Sequence, residues 1–70
     1  MKKEMLAYYE EAGVESAQSE YSYLRAYGRL CCILNDEDYS SREKIDAALA
    51  YIRGFNRANG QERGERSGRE

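Results

Sequence analysis

Proline, tryptophan and histidine are absent from this 70-residue chain, and cysteine occurs only twice. Without proline, nothing in the chain is obliged to break a helix interior. Without histidine, the chain lacks the commonest general base, the commonest zinc ligand and the usual near-neutral pH switch. A non-catalytic role is therefore expected. Long hydrophobic runs are also missing. No stretch approaches the ~20 apolar residues that span a bilayer, and Lys2 and Lys3 are followed by acids rather than by a signal-peptide core. A basic excess is lacking too, since 11 Lys plus Arg stand against 13 Asp plus Glu for a net charge of −2. That balance argues against holding duplex DNA by phosphate neutralisation.

Cys31 and Cys32 are neighbours in sequence. On a helix they point about 100° apart, which poorly matches disulfide geometry. Two free thiols suit a reducing interior, so the expected compartment is the cytoplasm, that of the host cell if the protein is viral. Two thiols without histidine do not complete a tetrahedral zinc site, and neither a metal nor a cofactor is expected.

Apolar residues recur at threes and fours, which predicts an all-α chain. A first short helix is expected from Lys2 to Ala12, with Met5, Leu6, Tyr9 and Ala12 on one face and Gly13 as its stop or bend. A long second helix is expected from Glu15 to Leu34, burying Tyr23, Leu24, Tyr27, Leu30, Cys31 and Leu34. Gly28 within it would mark a kink or the close approach of a partner helix. Asn35–Tyr39 reads as a turn. Ser40 and Glu43 form a capping box that opens a third helix, whose apolar face is Ile45, Ala48, Leu49 and Ile52, extended by Phe55. The expected architecture is a short N-terminal helix followed by an antiparallel helical hairpin, over residues 1–56. Residues 57–70 hold no large apolar side chain and alternate arginine with glutamate and glycine, so a disordered tail is expected there. The stripes carry few large apolar groups for a domain of this size, and with no disulfide or metal the expected remedy is self-association into a homo-oligomer.

Several patterns bear on chemistry. Ser41–Lys44 matches S-x-x-K, but at a helix start serine serves capping. Asp36-Glu37-Asp38 is acidic, yet an EF-hand numbered from Asp36 would need glycine at Ser41 and glutamate at Ala47. Tyr21, Arg25 and Arg29 stand at i, i+4 and i+8, on a flank beside the apolar stripe, and Tyr8 and Tyr9 lie near the end of the first helix. Guanidinium forks grip phosphate oxygens and tyrosine rings stack on bases. These five residues are therefore the candidate site for a small anionic nucleotide, placed at junctions between subunits. Arg42, Arg53 and Arg57 with the tail form a second basic edge, which would serve weak binding of single-stranded nucleic acid by the oligomer.

Short helix, long helix with a glycine, acidic turn and capped helix, together with the Tyr8-Tyr9 pair and Arg25, resemble the phage-encoded anti-CBASS sponge family over residues 2–56. That resemblance implies a small helical multimer that sequesters a cyclic oligonucleotide signal without cleaving it. It also implies that Tyr9 (or Tyr8) stacks on a base and that Arg25 binds phosphate. The alternative reading is an anti-CRISPR-like inhibitor that docks Asp36, Glu37 and Asp38 on a basic surface of a host defence protein.

Overall fold

The computed structural model describes residues 2–63, with side chains through Gly60, and holds three helices: α1 (Lys3–Ala17), α2 (Ser22–Leu34) and α3 (Ser41–Arg63). Successive helices alternate in direction. Tyr9 shares a buried cluster with Ala47 and Tyr51, and Ala17 shares one with Phe55 and Ala58, so α1 and α3 run in the same sense. Tyr23 of α2 meets Phe55 while Ile33 joins the Ala47 cluster, so α2 runs antiparallel to both.

The all-α expectation holds, and α2 and α3 are antiparallel. The tightest packing, however, joins α1 to α3 rather than α2 to α3. Glycine is the reason. Gly13 does not end its helix; it lies inside α1, where a Cβ would collide with the Tyr51 carbonyl oxygen and approach the Phe55 nitrogen at 2.8 Å. Gly54 on α3 faces the Glu10 carbonyl in the same way. Around the crossing α3 offers Ala47, Ala50, Tyr51 and Ala58, all buried. Small side chains let two helix backbones approach closely, and the dispersion gained there offsets the ~1 kcal/mol that each mid-helix glycine costs relative to alanine. At 15 residues α1 is longer than α2, which has 13, so the N-terminal helix is not the short one.

The expected 15–34 helix is divided. Glu15–Ala17 belong to α1, which ends where the Gln18 N–H reaches the Val14 and Glu15 carbonyls and the Ser19 hydroxyl donates to the Ser16 carbonyl at 2.8 Å. Such local bonds compete with helix continuation. At the other end of α2, the Asn35 amide and backbone N–H both donate to the Cys31 carbonyl. The Asp38 N–H then donates to the Asp36 carboxylate, tightening the turn. The capping box forms as expected: the Glu43 N–H donates to Ser40 Oγ at 3.2 Å and the Ser40 N–H to Glu43 Oε1 at 2.9 Å.

Two expectations about burial are overturned. Of the second helix's apolar stripe, Leu30 packs on the core as expected and Cys31 is half-buried, but Tyr23, Leu24, Tyr27 and Leu34 are exposed; Ile33 and Ala26 take their place beside Leu30. On α3, Ala48 and Phe55 are buried but Ile45, Leu49 and Ile52 face outward. The glycine–alanine stripe wins the interior because it permits the closest helix approach, and a helix buries only the stripe that faces its neighbours. Gly28 meets no partner helix: a Cβ there would find nothing within 4 Å. The third difference lies at the C-terminus. Residues 57–63, expected to be disordered, continue α3, anchored by buried Ala58 and by an Arg57–Glu10 ion pair of 2.5 Å. The rest of the expected tail, 64–70, lies outside the described residues.

Candidate ligand cleft between α1 and α2

Because α1 and α2 meet lightly, an open-sided cleft of about 580 Å³ remains between them. That size falls within the range of small-molecule sites, roughly 300–1,000 Å³. The α1 wall presents Tyr8, Glu11 and Glu15, spaced at helical intervals, with Ser19 following from the turn after the helix. The α2 wall presents Arg25, Arg29 and Cys32, with Gly28 between them leaving the floor clear.

Arg29 ties the two walls. Its Nη2 donates to the Tyr8 hydroxyl at 2.8 Å, and its guanidinium carbon lies 5.7 Å from the centre of the Tyr8 ring. The pair also borders a smaller recess of about 210 Å³, shared with Tyr9, Ile33 and Asp36. Tyr8 packs edge-on against Tyr9 with ring centres 5.1 Å apart, which fixes the inner side of the Tyr8 ring while the residue as a whole stays exposed.

The expected site residues separate. Tyr8, Arg25 and Arg29 come together in the cleft. Tyr9 lies in the core with its hydroxyl 3.0 Å from that of Tyr39. Burial, reinforced by the Tyr39 hydrogen bond, pushes its phenol up to about 12. Tyr21 precedes α2 as an exposed residue and does not line the cleft. Of the acidic turn, Asp36 borders the smaller recess and caps the turn's own backbone, while Glu37 and Asp38 are exposed. The second basic edge is largely engaged, Arg42 with Asp46 at 3.3 Å and Arg57 with Glu10.

Glu11, Glu15, Gly28 and Cys32 also line the cleft and were not singled out by sequence as site residues. The signal for the first two was their spacing from Tyr8, at i+3 and i+7, which becomes one helix face only when α1 runs through Gly13. Their carboxylates oppose two guanidinium groups, and no ion pair within 4.0 Å joins the walls among the described residues. The cleft therefore offers donors on one side and acceptors on the other. Arginine forks suit phosphate oxygens, and carboxylates suit amino and imino hydrogens.

Comparison with protein families, with curated proteins and with solved structures finds no match to this chain.

Proposed function

We propose that the chain is a non-catalytic binding protein that sequesters a small anionic nucleotide, a cyclic oligonucleotide signal, in the α1–α2 cleft. The observation that carries this reading is the convergence of Tyr8, Arg25 and Arg29, two guanidinium forks and an aromatic plate, on one open volume of ligand size. Arg25 holds phosphate, Tyr8 stacks on a base, and Arg29 both contacts phosphate and steadies Tyr8 through the hydrogen bond it already makes. Tyr8 takes the stacking role because Tyr9 is packed away. Glu11 and Glu15 face the polar edge of a base. The net charge of −2 supplies no general attraction for an anion, so affinity comes from these local contacts. The biological reading that goes with this is anti-defence: a phage protein in the host cytoplasm lowers the free concentration of an immune messenger by mass action.

Isothermal titration of the full chain with cyclic di- and trinucleotides tests the proposal. The expected result is saturable heat with at least one of them, lost on Arg25→Glu and kept when Asp36, Glu37 and Asp38 are neutralised together. The absence of heat with all of them up to high micromolar concentration contradicts it. The reverse dependence on the two sets of variants would instead favour docking of the acidic turn on a host protein.

A further inference from the structure

Alpha-helix α2 has two unlike flanks. One carries Arg25 and Arg29 into the cleft; the other carries Tyr23, Tyr27 and Leu34 at i, i+4 and i+11. The Tyr23 ring lies 5.6 Å from that of Phe55, which places this second flank beside α3. There α3 turns Ile45, Leu49 and Ile52 outward, at i, i+4 and i+7, next to its buried Ala48 and Phe55. With α2 and α3 antiparallel, counting along both helices from the Tyr23–Phe55 contact sets Leu34 level with Ile45 and Tyr27 level with Ile52, so the register brings the six positions to neighbouring heights on the helix pair.

These six residues expose between 38% and 69% of their surface. A bare side chain of this size offers about 200 Å², so the face presents on the order of 600 Å² of mostly apolar area. That lies at the upper end of the largest patch a monomer usually shows, ~300–600 Å², and approaches the ~800 Å² per partner of a stable protein interface. No charged residue falls among the six positions. Arg25 and Arg29 lie on the far side of α2, and on α3 Arg42 is paired with Asp46, while Lys44 and Arg53 adjoin Ile45 and Ile52 in sequence. Six uncharged positions at the centre of a face do not repel their own copy, as a two-fold interface requires. Inside the chain the core is mostly alanine, with Tyr51 as the largest fully buried side chain, so the larger aliphatic groups remain for an external partner.

We propose that the α2–α3 face docks a second copy of this chain, forming a two-fold dimer whose interface lies on the opposite flank of α2 from the cleft. Each copy then keeps its own cleft, and assembly is separable from ligand binding. This differs from a site built at subunit junctions.

Light scattering behind size exclusion on the full chain, without ligand, gives the test. The expected mass is about 16 kDa, twice the 8.1 kDa of one chain. Tyr27→Glu and Leu49→Glu, neither of which packs on the buried clusters, should each return the mass of a single chain with helical circular dichroism retained. Leu24→Glu, on the cleft side, should remain dimeric. Amide NMR shifts of the unsubstituted protein on dilution supply a readout that needs no variant, and the changes should concentrate in α2 and on the outer residues of α3. A single-chain mass for the parent protein at high micromolar concentration overturns the proposal and leaves the face to a different protein or to lipid. Dilution shifts centred on α1, or a dimer indifferent to both glutamate variants, overturn it as well.

Discussion

Gly13 of α1 and Gly54 of α3 mark the crossing where the two helices touch backbone to backbone, each leaving room that the other helix's carbonyl occupies. Alanine at either position would be the better helix former by about 1 kcal/mol. Here it should nevertheless destabilise, because its Cβ meets peptide atoms that cannot swing aside. Gly13→Ala and Gly54→Ala are each expected to cost about 1–3 kcal/mol in urea unfolding. Gly60→Ala, with nothing within 4 Å of its Cβ, should be neutral or stabilising by up to ~1 kcal/mol. Equal effects at all three positions would mean that the crossing is not close.

Tyr51 is fully buried, and its hydroxyl donates to Ser16 Oγ at 2.5 Å. The two substitutions that break this bond should differ. Ser16→Ala strands a buried phenol hydroxyl and is expected to cost about 1–3 kcal/mol, whereas Tyr51→Phe should cost about 1 kcal/mol. Adding Tyr51→Phe to the Ser16→Ala chain should then recover part of the loss. A double-mutant cycle by thermal unfolding measures this, and strict additivity would show that the two groups do not interact.

Tyr9 makes stability fall at alkaline pH. Its phenol ionises near 10 when unfolded and at about 12 in the folded chain, because burial and the Tyr39 hydrogen bond disfavour the phenolate. Above pH 10 the unfolded chain releases this proton first, so stability drops as pH rises. The contribution is intact below about pH 10 and gone by about pH 12, on the order of 2–3 kcal/mol in all. Tyr9→Phe should remove that part of the alkaline loss when urea midpoints are compared between pH 9 and pH 12. The same slope in both proteins would contradict the assignment.

The sequence conveyed helix content, the Asn35–Tyr39 turn and the Ser40–Glu43 cap, since each depends on residues within a few positions of one another. It misled wherever the outcome depended on a distant partner. Gly13 has the local signature of a helix end, and only Tyr51 and Phe55, far along the chain, explain why α1 passes through it. Ile45, Leu49 and Ile52 have the spacing of a core stripe, yet the alanines beside them pack closer to α1. The cleft was half legible for the same reason. Arg25 and Arg29 share a face by local spacing, but which tyrosine joins them depends on tertiary packing, which buries Tyr9 and leaves Tyr8 against Arg29.

Arg29 acts on a ligand partly through Tyr8, which separates its two functions. Arg29→Lys keeps a positive charge but loses the fork that bonds Tyr8 while facing the cleft. It should weaken nucleotide binding by about tenfold, the loss of roughly one charge-assisted hydrogen bond. Tyr8→Phe, which keeps the ring for stacking, should weaken it less than Tyr8→Ala. Competition titrations with a bound fluorescent nucleotide would rank the three, and an order with Tyr8→Phe as the weakest binder would assign the hydroxyl, not the ring, to the ligand.

Whether the cleft retains a nucleotide without altering it is decided most directly by equilibrium dialysis against cyclic dinucleotides and trinucleotides, followed by chromatography of the retained material. The expected result is accumulation on the protein side, approaching one ligand per chain, recovery of the ligand unchanged, and no accumulation with the Arg25→Glu, Arg29→Glu double variant. Even distribution of every nucleotide across the membrane, or recovery of a linear or hydrolysed product, would contradict it.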